Sequence, residues 1–192
     1  MFRFRTALAL VTLLFADIAC ASDWQYAGYN KKGTVESHNF FDAESISRPT
    51  KNVTRVWIKS ILARSLDRYS KAHEKLVIEK TAPKLAVYYS PKFLKLPAIT
   101  AQYTDATLAD AIISLTAYEV VANEPDIQAS NKFYWEIDCA SKRMRLLDGY
   151  SYNDRGEPSS KRIQPEEHFR FIPPDSNGAW LSMMVCPPSN GP

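Results

Sequence analysis

The sequence predicts an α+β fold in which a β-sheet carries a C-terminal helix, clamped across one face by a disulfide, together with an inserted helical segment. Apolar and polar residues alternate near both ends of the chain, as they do in half-buried strands. In the middle, apolar residues recur every three or four positions, as they do in helices. Cys139 closes an alternating run and Cys186 closes an apolar helical run, so a bond between them would hold that helix on the sheet.

Composition restricts the class of protein. Of the 192 residues, 45% are hydrophobic and 23% are charged, which is typical of a globular domain and excludes a disordered, collagen-like or coiled-coil protein. The net charge of +3 is spread along the chain and is not gathered in runs. This pattern argues against a protein dedicated to nucleic-acid binding.

Residues 1–21 have the features of a secretory signal peptide: two early arginines, a short apolar run and a small-residue site that ends at Ala21. The run is too short to span a bilayer, and no later stretch is long and apolar enough. We expect cleavage after Ala21 and a single mature domain over residues 22–192. The alternative is a lipoprotein anchored through Cys20, which Asp17 disfavours because lipoprotein signals carry an aliphatic residue there.

Both outcomes leave Cys139 and Cys186 as the two available cysteines of an exported protein, in a compartment where disulfides form. We expect them to pair, and two separate buried thiols are the alternative. On the chain-entropy model, closing this loop stabilises the fold by up to about 4 kcal/mol.

Three extended segments open the mature chain, and in the last of them Val56 and Ile58 face one side while Arg55 and Lys59 flank Trp57 on the other. The predicted strands here are Trp24 to Tyr29, Phe40 to Ile46 and Val53 to Leu62.

The segment 63–123 changes to helical periodicity and reads as an insertion. We expect helices from Leu66 to Lys80 and from Thr104 to Ala122, packed next to the strands because their apolar stripes need cover. The proline-punctuated stretch between them is not assigned. It contains Tyr88 and Tyr89, which are candidate anchors for a partner.

The last third predicts further strands and a helix: Phe133 to Cys139, Arg143 to Tyr152, Ser159 to Ile163, and the helix Ala179 to Cys186. Alternation places Glu136 and Asp138 on a solvated face, and it places Tyr150 with Met144 on the apolar face. The helix is apolar nearly all round, so its far side must be covered by the inserted helices or by a second subunit.

The sequence shows no motif that predicts catalysis or metal binding. His38, His73 and His168 lie far apart, and no Cys/His cluster has metal-ligand spacing. No serine stands in a nucleophile elbow, and the two mature cysteines are expected in a bridge. We therefore predict no enzyme activity, no metal and no cofactor.

The candidate binding residues are basic. Arg143 and Arg145 lie two apart on the polar face of one strand, and Lys161 and Arg162 lie on a neighbouring strand. Together they predict a docking surface for an acidic protein or glycan. An ordinary solvated sheet face is the alternative.

Taken in order, several motifs resemble those of the surface-adhesin protein E family of small exported bacterial proteins. They are Phe41-Asp42-Ala43-Glu44-Ser45-Ile46, Val53 to Ile58, Trp135 to Cys139 followed by Arg145 and Tyr150, Ile172-Pro173-Pro174-Asp175-Ser176, and Cys186. The resemblance covers roughly Trp24 to Leu62 and Asn131 to Cys186, and segment 63–123 departs from it. It implies an antiparallel sheet with the C-terminal helix bonded to it, a tendency to dimerise and, for some members, binding to host extracellular-matrix or serum proteins.

These observations favour a non-enzymatic exported envelope or surface protein that binds another macromolecule, in the manner of an adhesin. The alternative is a periplasmic structural or inhibitor protein, for example of a cell-wall hydrolase, that never contacts a host.

Overall fold

The computed structural model describes residues 22–88, 105–153 and 156–188, and within these ranges the chain forms one eight-stranded antiparallel sheet with four α-helices. The strands are β1 (Trp24–Lys32), β2 (Val35–Asp42), β3 (Ser47–Thr50), β4 (Val53–Leu62), β5 (Asn131–Asp138), β6 (Arg143–Tyr152), β7 (Pro158–Ile163) and β8 (Arg170–Phe171). The helices are α1 (Ala63–Ala72), α2 (Glu74–Tyr88), α3 (Asp105–Ala122) and α4 (Asn177–Val185). The predicted α+β fold is confirmed.

The sheet order is β1-β2-β4-β5-β6-β7, with β3 paired to β4 and β8 paired to β6. Strands β4 and β5 are therefore neighbours, although α1, α2 and α3 separate them in the chain. Ser60 near the end of β4 lies opposite Asn131 at the start of β5. The helical segment thus leaves the sheet and returns to it at the same end of this strand pair.

One side of the sheet, here called the disulfide face, packs against α4. Its core includes Phe41, Val56 and Ile137, and these side chains meet Leu181 and Val185 of the helix. The Cys139–Cys186 disulfide joins the end of β5 to the end of α4, with the two Cα atoms 5.8 Å apart. The predicted bond, and the helix that it clamps across the sheet, are confirmed.

The opposite side, here called the insertion face, packs against α1, α2 and α3. Phe40 and Ile61 are fully buried there against Leu66, Val77 and Val121. Because successive side chains of a strand point to opposite faces, the neighbours Phe40 and Phe41 enter two different cores. The prediction that the inserted helices pack against the strands is confirmed.

This arrangement corrects the expectation that the inserted helices could cover the outer side of α4. In the described residues α1, α2 and α3 lie on the face of the sheet away from α4. Met183 and Met184 of α4 remain 64% and 39% exposed. Cover by a second subunit stays a prediction.

The first predicted helix is interrupted in the structure. Residues 66–80 were expected as one helix, but α1 ends before His73, whose backbone leaves the helical range with φ −126° and ψ 33°. The His73 ring stacks on Tyr69 at 4.2 Å between centroids, and its backbone N–H donates to the Tyr69 carbonyl. Helix α2 then continues past Pro83 to Tyr88.

A β-bulge in β6 also departs from the predicted alternation. Tyr134 lies opposite Asp148, whereas the next residue, Trp135, lies opposite Leu146, so Leu147 is the extra residue. A bulge of one residue exchanges the two faces for every position beyond it. Tyr150 consequently lies on the insertion face and not, as predicted, with Met144.

Candidate macromolecule-binding face

The part of the insertion face beyond the helices carries three aromatic side chains, Trp57, Tyr134 and Tyr150, here called the aromatic patch. Trp57 stacks on Tyr134 with ring centroids 4.9 Å apart and planes inclined by 21°. The Tyr150 ring lies 6.3 Å from Trp57 at 28°. Three adjacent strands therefore present nearly parallel rings.

Strand pairing brings these rings together. Trp57 and Tyr134 are direct cross-strand partners in β4 and β5, where aromatic pairs stabilise a sheet. Tyr150 joins them only because the bulge at Leu147 turns it to this side. Trp57 and Tyr134 are half-buried and Tyr150 is exposed.

An ion pair orders one border of the patch. Arg162 of β7 lies opposite Tyr150, and its Nε donates to Asp148 Oδ1 at 2.9 Å. The guanidinium lies 5.9 Å from the Tyr150 ring centroid, and the Tyr150 hydroxyl donates to Asp148 Oδ2 at 2.8 Å. The hydrogen bond from Arg162 holds the pKa of Asp148 below its usual value. Arg162 remains 60% exposed, so it is accessible to a partner.

A second charged group lies at the other border. Glu136 is only 4% exposed and accepts hydrogen bonds from Arg55 Nε at 2.6 Å and from Arg145 Nε and Nη2 at 2.9 and 2.6 Å. Burial raises the pKa of this carboxyl, but the two arginines outweigh it and hold the pKa below the usual value. The expectation of a solvated Glu136 is therefore wrong. Asp138 instead accepts hydrogen bonds from the turn at Ala140 and Ser141.

The basic residues that the sequence predicted as a docking surface lie at two different borders of the aromatic patch. Arg145 is half-buried, bonded to Glu136, and lies 4.7 Å from the Phe169 ring. The expectation that Arg145 simply faces solvent is thus wrong. Arg143 is exposed and lies opposite Asp138, while Arg162 lies by Tyr150 at the opposite border. Lys161 precedes Arg162 in β7.

The two predicted tyrosine anchors lie away from these strands in the chain. Tyr88 is the last residue of α2, and Tyr89 lies outside the described residues. Their role in binding stays a prediction.

The aromatic patch itself was missed by reasoning from the sequence. A signal for part of it was present, because Trp57 and Tyr134 both fall on the polar sides of their strands. Aromatic side chains at solvent-facing strand positions are candidates for an interface. Tyr150 could not be found in this way, since a bulge leaves no distinctive residue pattern here.

The histidines are dispersed in the structure as well. His38 is enclosed by the rings of Tyr26, Tyr29 and Tyr118, and burial lowers its pKa. His73 lies at the end of α1 and His168 is exposed. In the parts of the chain that the structure describes, no three His, Cys, Asp or Glu side chains are grouped so that they could hold a metal ion.

Comparison with known proteins gives one match. The family model described as surface-adhesin protein E matches residues 102–187, a little under half of the chain. No curated protein and no solved structure matches significantly. The matched range includes both bonded cysteines, Tyr134, Tyr150 and Arg162, whereas Trp57 precedes it. The predicted resemblance to this family is thereby confirmed, and from residue 102 to residue 187 the chain is similar to surface-adhesin protein E. The first predicted block, Trp24 to Leu62, lies outside the match, and residues 102–123, which were expected to depart from the family, lie inside it.

Proposed function

We propose that this protein is a non-enzymatic exported envelope or surface protein that binds another macromolecule, in the manner of an adhesin, through the aromatic patch and Arg162. The family match supports an adhesin-like role at the surface. None of the described helices has the length and apolar character needed to cross a membrane. Export through a cleaved signal peptide over residues 1–21 is part of the proposal.

The observation that carries the proposal is the stacked patch with its arginine border. Tryptophan, tyrosine and arginine are the residue types that most often dominate the energy of protein interfaces. These side chains stand on adjacent strands and are held by ring stacking and by the Arg162–Asp148 ion pair. Little side-chain entropy would be lost on binding, because the rings are already ordered.

The partner class is a protein or a glycan, with host extracellular-matrix and serum proteins as the first candidates. A partner with acidic groups fits best, since Arg162 projects to solvent and exposed Arg143 lies on the same face. A homodimer that leaves this face open remains compatible with the proposal.

Binding of the purified mature protein to immobilised matrix and serum proteins tests it. The Tyr150→Ala, Arg162→Ala double variant should lose at least about tenfold in affinity, because it removes one hot-spot ring and its arginine. The matched control is Tyr29→Ala with Lys31→Ala, an exposed aromatic and basic pair on the edge strand β1. The control should bind as the unchanged protein does.

An equal loss of affinity in the two double variants, or no loss of affinity in either of them, would contradict the patch as the docking surface. Capture of a partner from periplasmic extract, with no binding to any host protein, would instead support the periplasmic alternative.

A further inference from the structure

Two lysines lie directly opposite each other on the insertion face, at the border of α3. Lys59 of β4 and Lys132 of β5 are cross-strand partners. Like charges in this position destabilise a sheet. Sites where a chain departs from a local stability rule are often functional sites.

Lys59 is held in a buried position. It is 6% exposed, its ammonium donates to the Ala122 carbonyl at the end of α3, and it lies 4.3 Å from the Trp24 ring centroid. Lys132 extends beside Tyr152, with 5.8 Å between its ammonium and the ring centroid.

Neither lysine has a carboxylate partner among the described residues. Asp42 influences Lys59 electrostatically, but its carboxylate accepts hydrogen bonds from the backbone N–H groups of Asp23 and Glu44. Glu124 lines the same cavity as the two lysines, and its carboxylate is paired with Lys80 at 2.5 Å. The pair of lysines is thus left with an excess of positive charge.

The lysines line a cavity of about 420 Å³. Trp24 and Tyr152 contribute aromatic walls, and the segment after α3 contributes Asn123 and Gln128. This volume falls within the range of small-molecule sites, which combine apolar walls with a few polar groups. It far exceeds the volume of a phosphate ion, and the aromatic walls suit the C–H faces of a ring.

The electrostatic environment of the two lysines favours the binding of an anion in the cavity. Burial, followed by the charge of Lys132, lowers the pKa of Lys59 to about 7. An anion between the two ammonium groups would offset both effects, because its negative charge attracts each of them.

We propose that this cavity binds the carboxylate of an acidic sugar ring, with Lys59 and Lys132 pairing to the carboxylate and Trp24 and Tyr152 flanking the ring. The cavity uses none of the three aromatic side chains of the patch. The proposal therefore goes beyond the proposed function and stands or falls separately from it.

Titration of the purified mature protein with methyl β-D-glucuronide tests the proposal, with methyl β-D-glucoside as the matched probe that lacks the carboxylate. We expect the glucuronide to bind at least tenfold more tightly than the glucoside. Lys132→Met should lose at least tenfold of that affinity without loss of thermal stability, since it also removes a like-charge contact. Lys51→Met, in the exposed turn before β4, and Arg162→Ala should both bind the glucuronide normally.

Three outcomes would overturn the proposal: no difference between the two sugars, unchanged affinity in Lys132→Met, or equal binding of inorganic phosphate or N-acetylglutamate at the same site. If the glucuronide does not bind, but the Tyr150→Ala, Arg162→Ala double variant still loses affinity for the macromolecular partner, only the cavity proposal is refuted.

Discussion

Replacement of Lys59 by methionine tests the physical basis of the cavity, because it removes a buried ammonium and keeps a flexible side chain of similar length. Burial, then repulsion from Lys132, lowers the Lys59 pKa from 10.5 to about 7. Each pKa unit corresponds to about 1.4 kcal/mol, so the charged form costs the folded state about 5 kcal/mol below pH 7.

The sign follows from proton binding. Between pH 7 and pH 10.5 the unfolded chain holds the Lys59 proton and the folded protein does not, so the free energy of unfolding rises with pH across this window. From pH 6 to pH 9 the gain from this group is about 3 kcal/mol. The variant also loses the hydrogen bond to Ala122 and the contact with Trp24. This loss should change its free energy of unfolding by nearly the same amount at every pH in the range.

Urea unfolding at pH 6, 7, 8 and 9 measures the effect as the difference between the unchanged protein and Lys59→Met. That difference cancels other titrating groups, including half-buried His38. It should shift by about 3 kcal/mol across the range in favour of the unchanged protein at high pH. Parallel pH profiles for the two proteins would refute the argument, and Lys51→Met should give a parallel profile.

Three further changes test the fold. Cys186→Ser should lower the free energy of unfolding by about 2–5 kcal/mol and speed amide exchange in α4, as measured by urea unfolding and hydrogen exchange; unchanged values would show that the bond does not anchor the helix. Arg145→Glu should cost about 2 kcal/mol because it leaves buried Glu136 beside a like charge, whereas exposed Arg143→Glu should stay within about 0.5 kcal/mol; equal costs would contradict this assignment. Deletion of residues 63–123 should cause aggregation, and a soluble deletion variant with unchanged melting temperature would contradict the second core.

Strand and disulfide placement could be predicted because both depend on local pattern. Alternation predicted Val53 to Leu62 and Arg143 to Tyr152 with the bounds that the structure has. The disulfide followed from the presence of two cysteines in the expected mature chain. The helices of the insertion were also predictable, although the break at His73 was not, since the apolar spacing continues through it from Leu66 to Leu76.

The candidate sites were less predictable because they depend on which parts of each sheet face are covered by helices. A period of two tells which residues share a face, but not whether a helix lies over that face. Lys59 and Trp57 were expected on the same polar side of β4, and they are, yet Lys59 is buried beside α3 and Trp57 lies at the border of the helices. Glu136 shows the same limit, since the two arginines that bury it come from different strands.

The most direct test of the central claim, an adhesin-like role at the cell surface, is labelling of intact cells with an amine reagent that does not cross membranes. Exposed lysines such as Lys51, Lys71 and Lys142 should react if the domain lies outside the envelope. We predict that mass spectrometry finds them labelled on intact cells, while a soluble periplasmic protein in the same cells stays unlabelled. Labelling of these lysines only after lysis would contradict a surface role.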